Sequence, residues 1–196
     1  MKRLFDFVVS GIGLLALAPL LILVAVTIKL DSRGPVFFRQ ERVGQFGKLF
    51  RIHKFRTMIV DAEARGMQIT VGADPRVTEI GHFLRKYKLD ELPQLIDVFF
   101  GQMSLVGPRP EVQRYVDYYP QEIKALVLSL KPGITDRASI EFKDENEILG
   151  RASDPHRAYI EEILPTKLAY YVAYVRSRSL LGDIDIILST LVAIVR

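Results

Sequence analysis

Cysteine is absent from all 196 residues. That excludes disulfides, a thiolate nucleophile and Cys-ligated zinc together, and it fits a reducing compartment. Histidine is scarce. His53, His82 and His156 stand alone, with no His-x-x-x-His spacing for a metal and no Ser-His-Asp arrangement. The glycines form neither G-x-G-x-x-G nor G-x-x-x-x-G-K-S/T, which disfavours a Rossmann dehydrogenase and a P-loop ATPase. Internal repeats and low-complexity tracts are missing too. What is present is ordinary in bulk: 49% hydrophobic, 26% charged, and a formal net charge of +4 from 27 basic and 23 acidic residues. That much apolar surface can offset chain entropy, so the chain is not disordered. Charge spread along most of its length disfavours a polytopic membrane protein, and the length suits one domain with room for an appendage.

The N-terminus departs from this average. From Phe7 to Ile28, 22 residues carry no formal charge. As a helix they would reach about 33 Å, close to the thickness of a bilayer core. A cleavable signal peptide would use Ala16-Leu17-Ala18 as its small-residue site. The apolar run continues beyond it through Leu20-Leu21-Ile22-Leu23-Val24, against that reading. A single-pass anchor and a helix that enters the bilayer, breaks and returns remain. Pro19 near the middle removes a backbone donor and would be the break. Lys2 and Arg3 at one end and Lys29 and Arg33 at the other would hold both ends in the cytoplasm. Proline also kinks true spanning helices, so both forms stay open on these residues alone.

Residues 33–56 carry Arg33, Arg39, Arg42, Lys48, Arg51, Lys54 and Arg56 against the single acid Glu41. They read either as a juxtamembrane patch drawn to anionic head groups or as a site for a phosphorylated substrate at the membrane surface. Val36-Phe37-Phe38 and Leu49-Phe50-Arg51-Ile52 flank Gly44-Gln45-Phe46-Gly47, which predicts two short strands around a turn. Helical patterns follow near Ile59 to Arg65 and Val77 to Tyr87. A further helix is expected to start at Asp90, with Asp90 as N-cap, Pro93 in its first turn and Gly101 as its stop. The prolines of Gly107-Pro108-Arg109-Pro110 exclude a helix interior, and Lys131-Pro132-Gly133 is another break. From Pro155 onward the chain reads as helical, with Tyr159, Ile163, Leu168, Tyr171 and Val172 as buried candidates. Its apolar end, Ile184 to Val195, reads either as an interfacial helix or as a core helix.

The chemistry concentrates at Asp90-Glu91, preceded by Arg85, Lys86 and Lys88 and followed later by Arg109. An acidic pair at a helix start is commonly only a cap. Here, however, a helix N-terminus and guanidinium groups could bind phosphate and depress carboxylate pKa values, keeping Asp90 ionised. Neighbouring side chains on a helix diverge, so one carboxylate could attack phosphorus while the other helps hold Mg²⁺.

Six segments then occur in order: Gly34-Pro35-Val36-Phe37-Phe38-Arg39-Gln40, Lys54-Phe55-Arg56-Thr57-Met58, Asp74-Pro75-Arg76-Val77-Thr78, Leu89-Asp90-Glu91-Leu92-Pro93-Gln94-Leu95, Met103-Ser104-Leu105-Val106-Gly107-Pro108-Arg109-Pro110-Glu111 and Lys131-Pro132-Gly133-Ile134-Thr135. With the apolar N-terminus, the chain resembles the bacterial sugar transferase family, the monotopic polyprenyl-phosphate phosphoglycosyl transferases. The resemblance implies a predominantly α fold with a small β-hairpin (α+β). It places a re-entrant membrane helix at 1–32, broken at Pro19, and a membrane-interface catalytic domain with interfacial amphipathic helices at 33–196. It implies that Asp90 attacks a UDP-sugar, releasing UMP, and that the phosphosugar then passes to polyprenyl phosphate, the first membrane step of glycoconjugate assembly. Glu91 and Asp90 would associate with Mg²⁺, Arg85 and Arg109 would hold phosphate, and Lys54 and Arg56 would lie near the site. The implied partners are a UDP-sugar, polyprenyl phosphate and the phospholipid membrane, without nucleic acid and with homo-oligomerisation left open. The implied location is the bacterial cytoplasmic membrane, with the catalytic domain facing the cytoplasm.

Two features depart from the family pattern. Asp136-Arg137-Ala138-Ser139 replaces the common Gly-Trp-Ala-Gln, and Ala18 precedes the proline where a small polar residue is frequent. The length also leaves no room in this sequence for an additional multi-pass region. A non-catalytic scaffold that binds lipid phosphate through residues 33–56 is the competing expectation.

Overall fold

The computed structural model describes residues 1–60, 62 and 74–195. It is mostly helical, with three two-stranded sheets, in agreement with an α+β class. The first helix, α1 (Lys2–Asp31), contains the apolar run and is long and apolar enough to cross a membrane. No non-helical residue interrupts it at Pro19, so the expected break can only be a bend within the helix. Proline removes one backbone donor without ending the helix and is the usual place for a helix to bend.

The two ends of α1 are fastened to one body. At the N-terminal end the buried Asp6 accepts from Ser104 Oγ at 2.9 Å and from the Leu105 amide at 3.1 Å. Lys2 Nζ donates to Asp183 Oδ2 at 2.6 Å and to the Val106 carbonyl at 3.1 Å. At the other end Val24 and Ile28 pack with Phe55 and Leu84. Between them Phe7 stacks on Phe99 at 4.6 Å, and Gly11 and Gly13 lie against Phe99 and Leu95.

The hairpin differs from the predicted one by a rung. β2 (Glu41–Val43) and β3 (Leu49–Arg51) pair around the turn at 45–47, whereas β1 (Phe37–Phe38) pairs with β4 (Lys54–Phe55). Phe37 and Phe55 thereby stack on each other at 5.6 Å, burying aromatic surface that pairing with Leu49–Ile52 would not. The helical pattern expected from Ile59 to Arg65 lies largely outside the described residues, and Ile59 and Val60 are not helical. α2 (Glu79–Lys86) is capped by Thr78, whose side chain accepts from the Gly81 amide.

α3 (Gln94–Phe99) leads through Gly101, at φ +83°, into β5 (Ser104–Val106). After α4 (Gln113–Val116) and α5 (Gln121–Val127), β6 (Gly133–Thr135) pairs parallel to β5, with Ser104 opposite Gly133 and Val106 opposite Thr135. A Cβ on Gly133 would meet the Gly107 amide nitrogen at 2.1 Å and its carbonyl oxygen at 2.4 Å. That close approach sets the backbone leading into Pro108-Arg109-Pro110. Gly133→Ala should therefore destabilise the fold by about 2 kcal/mol or more, because backbone must move to admit the methyl group. Chemical denaturation would measure it; an unchanged midpoint would mean that the strands are not held this tightly.

α6 (Arg137–Glu141), α7 (Glu145–Gly150) and α8 (Pro155–Ala158) precede a single π turn at 159–163 and then α9 (Leu164–Ser177). Tyr159, Ile163, Leu168 and Tyr171 are buried as expected, while Val172 is only half-buried. The last helix, α10 (Leu180–Val195), divides its apolar residues. Ile186 joins the core, while Leu181, Leu188, Leu191 and Val192 are exposed.

Candidate active site

Asp90 and Glu91 lie in a 3₁₀ turn, Leu89–Glu91, entered through Lys88 in the left-handed region at φ +54°. α3 begins four residues after Asp90, with Pro93 as its N-cap, so Asp90 is not the cap expected from sequence. Pro93 lacks the amide that an earlier start of the helix would use, and the acidic pair belongs to the tighter turn before it. The turn packs against β4, which carries Lys54.

Glu91 is the hub of the site. Its Oε1 accepts from Lys54 Nζ at 2.8 Å, its Oε2 from Arg109 Nη1 at 3.0 Å, and Arg109 Nη2 also donates to Oε1. The last two bonds form a bidentate fork, the strongest carboxylate–cation geometry. Burial alone would raise the Glu91 pKa, but Arg109 and Lys54 together hold it well below the usual carboxylate range. Glu91 in turn raises the Arg109 pKa, so that pair remains charged on both sides.

Asp90 behaves differently. It is 8% exposed, and its Oδ1 is buried without a hydrogen-bond partner. Burial raises its pKa; Lys54, Arg85 and Lys88 oppose the rise, and the neighbouring Glu91 adds to it. The expectation that cations would depress it is thus corrected: desolvation outweighs them. Two adjacent carboxylates are driven apart in acidity, one committed to ion pairs and one underbonded and more basic. A more basic carboxylate is a better nucleophile.

Of the six residues proposed to surround the chemistry, Asp90, Glu91, Lys54, Arg85 and Arg109 share this neighbourhood. Arg85 Nε donates to Thr57 Oγ1 at 2.8 Å, and its charge acts on Asp90. Arg56 does not join them. Its guanidinium donates to the carbonyls of Ser32 (2.7 Å), Arg33 and Ile28, closing the C-terminal end of α1. It neutralises orphan helix carbonyls.

Sequence reasoning missed the support beneath Arg109. Arg42 Nη1 donates to the Pro110 carbonyl at 3.2 Å, and the Val43 amide donates to the Glu111 carbonyl at 2.9 Å. The Glu111 side chain accepts from Tyr159 at 2.7 Å and lies within 4 Å of both Arg42 and Lys167. Together these contacts hold the limb that follows Arg109. Arg42 was visible only as one member of a basic run, and Tyr159 only as a core aromatic. Asp136, first in the departure from the family pattern, caps α6 by accepting from the Ser139 amide at 3.0 Å and hydroxyl at 2.7 Å.

For a divalent cation, the described residues contain no group of three or more His, Asp or Glu side chains. The donor set still fits Mg²⁺, which is commonly held by one or two carboxylates plus substrate phosphates. The orphaned Asp90 Oδ1 is a free hard oxygen, and Glu91 could contribute by releasing one of its cations.

A carboxylate pair with Lys54, Arg85, Lys88 and Arg109 acting on it sits on a body fastened to a helix long and apolar enough to cross a membrane. Comparison places it further. The model of the family described as bacterial sugar transferase matches residues 1–196, and the chain belongs to that family. It is 38% identical over 193 residues to a UDP-glucose:undecaprenyl-phosphate glucose-1-phosphate transferase of Klebsiella pneumoniae, covering 96% of this chain and 39% of that protein. It is 37% identical over 192 residues to a UDP-N-acetylgalactosamine-undecaprenyl-phosphate N-acetylgalactosaminephosphotransferase of Aeromonas hydrophila, covering 97% and 42%. An exopolysaccharide production protein PSS of Rhizobium leguminosarum bv. phaseoli is 37% identical over 201 residues, covering 98% and 94%. The chain thus spans about two-fifths of the length of the first two relatives.

Proposed function

We propose that this protein transfers a sugar-1-phosphate from a UDP-sugar to polyprenyl phosphate. The observation that carries the proposal is the pairing of an underbonded, buried Asp90 with a Glu91 locked to Lys54 and Arg109. In the first step an Asp90 oxygen forms a bond to the β-phosphorus of the donor. The bond from that phosphorus to the bridging oxygen breaks, and UMP leaves with its electron pair. In the second step an oxygen of the acceptor phosphate attacks the same phosphorus and returns the Asp90 carboxylate. One site thus serves two bulky anions in turn. Arg109, Lys54 and Arg85 neutralise phosphoryl oxygens, because phosphoryl transfer needs positioning and charge compensation above all. Mg²⁺, with Asp90 and Glu91 as its protein donors, would neutralise charge on the diphosphate.

The test is product identity. Protein incubated with labelled UDP-sugars and polyprenyl phosphate should release UMP and leave a phosphosugar on the protein when the acceptor is omitted. UDP as product would mean direct glycosyl transfer. Salt-dependent vesicle binding without nucleotide release from any UDP-sugar would mean a scaffold.

We also propose that α1 enters the membrane and returns, with the catalytic body at the cytoplasmic face of the bacterial inner membrane and the exposed stripe of α10 in the interface. Support comes from the fastening of Lys2, Arg3 and Asp6 at one end of α1, and of Ile28 and Ser32 at the other, to the same body. A helix spanning the bilayer would carry its ends to opposite sides. Single cysteines placed before Lys2 and after Arg33 should both react with a cytoplasmic-side label in this naturally cysteine-free chain. Labelling from opposite sides would establish a spanning helix.

A further inference from the structure

We propose that the groove between α6 and α10 receives the part of the acceptor's isoprenoid tail nearest its phosphate, an inference resting on the transferase reading above. Ile140 and Lys143 form one side of this open depression; Leu188, Ser189, Val192 and Ala193 form the other. The walls are held in register by the 2.7 Å contact between the Thr135 and Thr190 hydroxyls and by the ion pair of Arg137 with Asp185. α6 starts directly after β6, the strand paired with the one that leads to Arg109.

Three features select the occupant. The lining is largely apolar with one amine, Lys143, which suits a hydrocarbon chain attached to an anion. Lys88 Nζ donates to the Lys143 carbonyl at 3.2 Å, and Lys88 is also among the cations acting on Asp90. The side chain of the residue two before Asp90 thus reaches the backbone of a residue lining the groove. Finally, Leu188 and Val192 belong both to the groove and to the exposed stripe of α10, so a tail leaving the groove runs onto apolar surface. A UDP-sugar has no such tail, so the groove would act on the second substrate alone.

The test separates the two half-reactions in the full chain, reconstituted in phosphatidylglycerol–phosphatidylethanolamine vesicles. Donor chemistry is read as exchange of labelled UMP into UDP-sugar, and acceptor use as the KM for polyprenyl phosphate. Ser189→Trp and Ala193→Trp fill the groove and should raise the acceptor KM about tenfold, with UMP exchange within about twofold of wild type, while Leu181→Trp on the outer stripe should change neither. Exchange also reports that the variants are folded. Leu188→Ser, at an exposed position that cannot unfold the core, should raise the acceptor KM about threefold. An unchanged acceptor KM in the filled variants overturns the proposal, as does an equal rise in Leu181→Trp. Loss of vesicle binding by Leu188→Ser at constant acceptor KM would assign the groove to a phospholipid acyl chain and overturn it too. A wild-type protein that releases no UMP removes the transferase reading, and the groove assignment with it.

Discussion

Asp90→Asn should lower UMP release about 10⁴-fold or more and abolish the covalent phosphosugar, since an amide oxygen cannot supply the attacking electron pair of a carboxylate. The same substitution should leave the protein at least as stable as wild type. Burial raises the Asp90 pKa in the folded state. Ionised Asp90 therefore weakens folding as pH rises through that raised value, whereas Asn carries no charge to desolvate. The stability gain of Asp90→Asn should be absent at low pH, where both side chains are neutral, and grow above the usual carboxylate range. Activity of the wild type should rise over that same interval as the nucleophile ionises. Thermal unfolding and initial rates measured across pH would test both trends. A variant that loses activity together with stability would make Asp90 a structural residue.

Arg109→Ala should cost about 10³-fold in kcat/KM, the order found for a guanidinium that stabilises a transferring phosphoryl group. It should also destabilise the fold by about 2 kcal/mol, because the two-point hydrogen bonding of part-buried Glu91 is lost while Lys54 remains its ion-pair partner. Arg109→Lys separates the effects. One ammonium can keep the charge but not the two-point fork, so stability should largely return while kcat stays low. Glu91, held well below the usual carboxylate range, keeps these ion pairs down to acidic pH. Their contribution to stability is present above the normal Glu pKa and is lost as pH falls through the depressed value. Recovery of full activity by Arg109→Lys would show that charge alone suffices.

The sequence revealed features that depend on local patterning: the apolar helix, the breaks at Gly107-Pro108-Arg109-Pro110 and Lys131-Pro132-Gly133, and the buried residues of the last third. It also pointed to Asp90, Glu91, Lys54 and Arg109, which lie in ordered motifs, and to Arg85 as a cation shortly before Asp90. What it could not reveal depends on which distant segment meets which. The parallel pairing of β5 with β6 joins strands of three residues each, too short for any periodicity, through a glycine–glycine approach visible only in space. The strand register went astray because Phe37 found Phe55 rather than Phe50. The resemblance places Arg56 beside the phosphate-binding cations, yet its guanidinium is used by the carbonyls at the end of α1. The raised pKa of Asp90 is hidden as well, since burial, unlike neighbouring charge, cannot be counted along the chain.

The ion pair between Lys2 and Asp183 joins residues 181 positions apart. During synthesis, α1 leaves the ribosome long before Asp183 exists. Its first turn must then wait for α10 before this pair can form. A frameshift or proteolytic cut that removes α10 would thus loosen the first turn of α1, even though every residue of the Asp90-Glu91 turn had already been made.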